Sequence, residues 1–547
     1  MIRFIFILFF LTINVLSFSQ NKNLPLSNCY SLDFKNILYI DSTNIHTSFK
    51  PILVSENFKM DSISKIGYVN NYNSWILKKT FNEHLFVIKG KDYSVVASPL
   101  INLSTGRELI DSKKTFVNSR GYLVKGTLGS NISFSTSFFE NQAVFPNYLN
   151  AYILNNKIVP GQGFARNFKE DGFDYAMSSG HVTYTPNSMF SMQFGHGKSF
   201  IGDGYRSLLL SDNTFNYPYL KVQTNFWKIQ YTNFYAELMD INYFETNSLD
   251  NWDQMGYPKK YLSSHYLSMN LSSKLNISLF ESVIWRANHT PGSNGFDINY
   301  LNPIALLRPV EFSINSPDNI LVGLNAKYTL ITSYLYGQLI LDEFSVEYLR
   351  TKNSWANKFG YQIGYKIFNF LNVDKLSLQA EYNYVRPYTY AHKNPTQNYA
   401  HYNQPLAHPL GANFSELLLM ATYKIKRFVF DIKMMSVKYG GQIDGDPTSY
   451  GSDLFLSTGN FAQEANLINI GTGRPSDNGI EMYQGNLSKI KSGSLNIGYV
   501  VNPITNLKIN LGFTFRNFEN ENENENLETR FLNFGIISDL FNKYYDI

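Results

Sequence analysis

The stretch Leu507-Lys508-Ile509-Asn510-Leu511-Gly512-Phe513-Thr514-Phe515-Arg516 decides how the rest of the chain is read. Successive side chains of a strand point to opposite faces. Leu507, Ile509, Leu511, Phe513 and Phe515 therefore share one side, and Lys508, Asn510, Gly512, Thr514 and Arg516 the other. The same period-two pattern recurs upstream. Leu376, Leu378, Ala380, Tyr382 and Tyr384 stand against Ser377, Gln379, Glu381 and Asn383. Leu275, Ile277 and Leu279 alternate with Lys274, Asn276 and Ser278, and Phe428, Phe430, Ile432 and Met434 interleave with Asp431 and Lys433. A soluble sandwich also alternates, but long alternating strands over most of a chain are the mark of a transmembrane barrel.

The two ends of the chain point the same way. Arg3 followed by the apolar run Phe4 to Leu16, with small residues at Ser17 and Ser19, reads as a secretory signal cut before Gln20. That run is too short for a membrane-spanning helix. Cys29 stands well beyond it, after Asn28, where a lipoprotein cysteine would not lie. With a single cysteine the exported chain has no internal disulfide to stabilise its 547 residues, and a large sheet is the alternative. After the signal no stretch approaches the roughly 20 apolar residues of a transmembrane helix, so strands are the remaining way across, and lipid requires them to close. The 39 Tyr and 43 Phe suit aromatic girdles at the two membrane interfaces. A near balance of 47 basic and 43 acidic residues argues against a nucleic-acid partner.

The expected fold is therefore all-β: an antiparallel outer-membrane β-barrel of about 18 strands with a small N-terminal plug or periplasmic subdomain. Residues 1–19 form the signal peptide, 20–110 a plug or periplasmic segment that can include first strands, and 111–547 the barrel. Phe531, Asn533, Gly535 and then Leu540 to Ile547 resemble the terminal strand read by barrel-assembly machinery, although the chain ends in Ile rather than Phe. Counting back from that end puts Asn502-Pro503 and Lys424 to Lys426 in short periplasmic turns. It puts residues 197–217, 287–318, 387–414 and 440–488 in long extracellular connections. The acidic repeat from Glu519 to Asn526 falls at an extracellular loop tip.

Catalytic and metal patterns fail one by one. Gly197-Lys198-Ser199-Phe200-Ile201 has Ile where a nucleophile elbow needs its second Gly, and Gly202-Asp203-Gly204 lacks the third glycine of a dinucleotide loop. Asp444-Gly445-Asp446 is broken as a calcium loop by Pro447, and His392, His401 and His408 lack zinc-site spacing. No enzyme, cofactor or metal is expected.

Four polar and aromatic segments remain, all on the expected outer side. They are Phe200 to Tyr219, Asn302 to Asn319, Arg386-Pro387-Tyr388, and His401-Tyr402-Asn403-Gln404-Pro405-Leu406-Ala407-His408-Pro409-Leu410-Gly411-Ala412-Asn413-Phe414. In these strings the chain resembles the Wzi-like capsule-assembly barrels, most closely the Bacteroidota branch that includes the gliding motility protein RemB. The likeness runs from about Trp75 to the end. It implies a plugged outer-membrane barrel that handles surface polysaccharide, and for that branch gliding over surfaces. The implied partners are outer-membrane lipid, surface polysaccharide, barrel-assembly machinery and gliding machinery proteins. Tyr, Asp, Asn and Arg side by side can pack against a sugar ring and bond its hydroxyls. The candidates are Asp203, Tyr205, Arg206, Asp212 and Asn213, then Tyr388, His401, Tyr402, Asn403 and His408. The competing reading makes them a lumen network that fixes loops across the barrel. A pore remains open as well, and would need an unplugged polar lumen; so does a scaffold component of a motility or secretion machine, which needs only suitable exterior surfaces.

Overall fold

The computed structural model describes residues 22–27, 38–39, 45–54, 72–241, 257–287, 295–303, 307–314, 318–342, 351, 353–460, 473–521, 525–538 and 541–547. The expected signal peptide and Cys29 lie outside these residues.

Eighteen antiparallel strands close into a barrel. In chain order they are β1 (Tyr93–Glu108), β2 (Lys114–Leu128), β3 (Ile132–Val144), β4 (Gly172–Tyr184), β5 (Phe190–Gly197) and β6 (Tyr217–Phe226). Next come β7 (Ile229–Met239), β8 (Lys259–Asn270), β9 (Leu275–Arg286), β10 (Asn319–Thr329), β11 (Ser333–Asp342) and β12 (Lys358–Ile367). The last six are β13 (Leu376–Val385), β14 (Phe414–Ile425), β15 (Phe428–Gly441), β16 (Asn486–Asn502), β17 (Leu507–Asn520) and β18 (Glu525–Ser538). Each strand pairs with its sequence neighbours, and β18 closes on β1 with Phe531 opposite Glu108 and Ile537 opposite Asn102. Closure leaves no open edge, as a lipid environment demands. The barrel starts at Tyr93, inside the segment 20–110 in which first strands were allowed.

Side chains alternate across the wall as the sequence demands. In β17, Ile509, Leu511 and Phe513 are exposed on the outside while Lys508 is buried in the lumen; in β13, Glu381 and Asn383 point inward and Tyr382 outward. The even strand number brings the start of β1 and the end of β18 to the same end of the barrel. Turns 426–427 and 503–506 lie there, and the long connections 198–216, 287–318, 386–413 and 442–485 all lie at the other. No helix among the described residues is long and apolar enough to cross a membrane.

The acidic repeat falls at the hairpin that joins β17 to β18, where Glu519 pairs with Asn526 and Asn520 with Glu525. One expectation is corrected. The last residues are not a terminal strand: β18 stops at Ser538, and Phe541–Ile547 turns back into the lumen. The reason is polar demand. Tyr544, Tyr545 and Asp546 all find hydrogen-bond partners inside the barrel that a lipid-facing strand could not supply.

Candidate functional site

The connections 198–216 and 386–413 do not stand above the barrel; they fold down into it. Residues 200–210 cross the lumen, and Ile201, Leu208, Leu209 and Leu210 bury against inward residues of the wall such as Phe234, Phe280, Leu321 and Ile340. Residues 399–412 add Tyr399, Leu406, Ala407 and Ala412 to the same apolar core. The N-terminal segment enters too. Phe49 and Lys50 form a two-residue strand against Phe200 and Ile201, and Phe49 packs at 5.9 Å from both Phe234 and Tyr266. An apolar core inside a barrel removes water from the lumen as a soluble core does.

A charged knot lies beside that core. Arg206, 1% exposed, donates from Nη2 to Glu416 Oε1 of β14 at 3.0 Å and to the Asp546 carbonyl at 3.0 Å. Its ion pair with the Asp546 carboxylate is 3.3 Å. Lys433 of β15 reaches the same carboxylate at 2.6 Å and the Tyr205 hydroxyl at 2.9 Å, and that hydroxyl donates to Asp546 at 3.0 Å. The backbone N–H groups of Tyr205 and Arg206 donate to the two oxygens of Glu381, and His408 bonds Glu416 at 2.8 Å. Burial opposes charge on Asp546, but Arg206 and Lys433 outweigh it and hold its carboxyl below the usual range. Buried charges of this kind are tolerable only when paired and hydrogen-bonded.

The structure places every candidate residue in this packed interior. Asp203 accepts from Thr47 at 2.8 Å and from Asn325 at 3.2 Å, tying the N-terminal segment to the loop and to β10. Asp212 accepts from Tyr544 at 2.7 Å and Asn542 at 2.9 Å, and Asn213 donates to the Pro405 carbonyl. Tyr388 donates to the Ser449 carbonyl, and Asn403 to the Asn156 carbonyl. Tyr402 packs 4.8 Å from Phe215. His401 accepts the Met239 N–H on Nδ1, so the proton on Nε2 faces the Asn216 carbonyl at 3.3 Å; burial pushes its pKa down to about 3, which keeps the ring neutral. Tyr388 and Tyr390 hold left-handed φ values of 67° and 72°, a costly conformation for aromatic residues. The surroundings of Tyr390 enforce it: its hydroxyl donates to the Leu208 carbonyl, its carbonyl accepts the Tyr399 N–H at 2.9 Å, and its own N–H is held by Asp342 at 2.6 Å.

The segments 200–219, 386–388 and 401–414 thus converge, but in the lumen rather than as a polar surface above it, whereas Tyr300 and Leu307 pack on outward residues of the wall such as Val283 and Trp285. Asp203, Arg206, Asp212, Asn213, Tyr388, His401, Asn403 and His408 are buried and already bonded within the chain. Sequence reasoning missed the tail Phe541–Ile547, the carboxylates Glu381 and Glu416, and Lys433. Glu381 and Lys433 sat on the polar face of an alternating strand, which was the available signal, whereas Glu416 shares its inward face with Phe414 and Leu418 and no alternation marks it. Among the described residues no group of His, Cys, Asp and Glu could hold a metal ion.

A closed antiparallel barrel with an outward apolar band and an occluded lumen is a membrane barrel of the outer-membrane type. No known family profile matches the chain, and no curated protein matches it. Among solved structures it is similar to Wzi of Escherichia coli, an outer-membrane protein involved in group 1 capsule assembly and a carbohydrate-binding β-barrel. Identity is 13%, with 95% of this chain and 100% of that one covered at a TM-score of 0.52. The likeness is one of fold. OprD of Pseudomonas aeruginosa aligns at 11% identity over 82% of this chain and 95% of that one, TM-score 0.39. OccAB2 of Acinetobacter baumannii aligns at 10% over 82% and 99%, TM-score 0.40.

Proposed function

We propose that the protein is a non-enzymatic outer-membrane surface protein that takes part in attaching or assembling surface polysaccharide, with its long connections on the extracellular side. The observation that carries this reading is the occluded lumen. Four separate parts of the chain, the N-terminal segment, the loops 198–216 and 386–413, and the tail 541–547, are bonded to one another and to the wall. A channel would spend none of this on closing itself. The carbohydrate-binding character of the Wzi barrel, together with the motif resemblance, supplies the ligand class. The RemB-like resemblance adds gliding as the physiological context, with outer-membrane lipid, surface glycan and gliding machinery as partners.

A deletion strain, scored both for surface glycan and for spreading on agar, tests the role. Loss of either with normal growth supports it, and loss of neither sinks it. Purified wild-type protein should carry little or no current in planar bilayers, whereas steady conductance would favour a channel. Arg206→Ala separates scaffold from glycan contact. Removing the guanidinium that both Glu416 and Asp546 share should cost about 3–5 kcal/mol, read as a lower unfolding temperature of the heat-modifiable band on a gel. A fully stable variant that loses glycan would instead make Arg206 a direct contact.

A further inference from the structure

The apolar core fills one side of the lumen, and the other side is hollow. A cavity of about 440 Å³ lies between the tail Phe541–Ile547, the loop at Asp203–Tyr205 and the inward faces of β13–β18 and β1–β2. That volume is within the usual range for small-molecule sites, about 300–1,000 Å³. Its walls carry Ser377, Gln379, Thr422, Ser492, Asn496 and Asn510, with the rings of Tyr39, Tyr205 and Tyr334. Such a mixture offers donors and acceptors for hydroxyls and flat faces for a sugar ring.

Charge makes the cavity selective. Lys50, Lys366, Lys433, Lys508 and Arg516 line it, against Asp203, Asp431 and Asp546. The carboxylates are already engaged: Asp546 by Arg206 and Lys433, Asp203 by Thr47 and Asn325, and Asp431 by Thr422 at 3.0 Å. Among the described residues Lys50 and Lys366 make no ion pair. Lys50 donates to the Gly202 carbonyl at 2.9 Å and stands 4.6 Å from the Phe200 ring centre; Lys366 donates to Gln379 Oε1 at 3.0 Å. Both lysines line the same cavity, and Glu381, a nearby counter-charge, already accepts from Tyr205, Arg206, Tyr336 and Asn383. Two cations on the wall of one cavity, with the neighbouring carboxylates engaged, favour an anion between them.

We propose that this cavity is a binding site for an acidic sugar, a pyranose carrying a carboxylate, with the carboxylate between Lys50 and Lys366 and the ring against the tyrosines. The inference rests on the glycan reading only for the class of ligand, and its test needs no living strain.

Titration calorimetry on the detergent-solubilised full chain would compare digalacturonate, the neutral disaccharide cellobiose and acetate. Digalacturonate should bind at least about tenfold more tightly than either, since its carboxylate forms charge-assisted bonds and its ring adds contacts that acetate lacks. Lys50→Gln with Lys366→Gln should abolish that preference while the protein keeps its heat-modifiable mobility. No digalacturonate binding, equal binding of cellobiose, or acetate binding as tightly would each overturn the proposal. Should the double variant fail to assemble, salt decides. A wild-type affinity that falls severalfold as the Debye length shrinks from about 10 Å to about 3 Å supports the site, and a flat response overturns it. A strain that loses surface glycan while the pure protein ignores digalacturonate would leave the cellular role standing and remove only this site.

Discussion

The walls β15–β18 and β7–β9 are built from equally regular strands, yet their outward faces meet different surroundings. On the first, Ile432, Met434, Leu511, Phe513, Leu532 and Phe534 stand exposed in an unbroken apolar band. On the second, the lower outward positions such as Leu279 are apolar and exposed, but the upper ones are Asn233, Ser263, His265, Glu281 and Trp285, all buried. A segment of the connection 287–318 lies over them on the outside of the barrel. Tyr300 packs on Trp285 with ring centres 4.6 Å apart and accepts from Ser263 on its carbonyl at 2.8 Å. Tyr235 donates to the Leu301 carbonyl, and Glu281 accepts from His265 at 2.8 Å and from the Leu307 N–H at 3.1 Å. Tyr300 is in turn tied to Asp318 at the head of β10. The difference teaches that a polar residue on the outward face of a barrel strand is affordable where another part of the chain replaces lipid and supplies the hydrogen bonds.

The largest test of this contrast is on the bare wall. Leu511→Arg should cost about 2–4 kcal/mol in the unfolding of vesicle-embedded protein, while Asn510→Arg on the lumen side should cost far less. Equal effects would mean that β17 does not face lipid. A smaller effect is expected beneath the strap, where Glu281→Leu leaves His265 Nδ1 and the Leu307 N–H without their acceptor and should cost about 1–3 kcal/mol. A neutral or stabilising result would show that lipid already reaches that face and that the strap does not shield it. The last test reads lipid contact rather than stability. In variants whose only tryptophan is at 285 or at Phe513→Trp, brominated lipid should quench the second and spare the first. Equal quenching would erase the difference between the two walls.

Much of this was legible in the order of residues. Period-two alternation in Leu507–Arg516 and its counterparts determined the strands, their faces and the approximate strand number, because a pleated chain has no other way to separate apolar from polar side chains. The same alternation put Glu381, Lys433 and Asp431 on lumen faces without saying what they bind. The pairing of Arg206 with Glu416 and Asp546 joins positions 210 and 340 residues apart, and no local pattern encodes such a contact.

Sequence alone therefore settled that the chain makes a barrel and which side of its alternating strands faces outward, since both follow from backbone geometry and residue polarity taken one strand at a time. Only the tertiary structure decided that the connections 198–216 and 386–413 descend into the lumen, that the tail after β18 joins them, and that the segment at Tyr300 and Leu307 straps the outer wall. Those outcomes depend on which buried charges and aromatic rings meet across the barrel, and that is set by closure of the sheet, which brings distant segments within hydrogen-bonding reach.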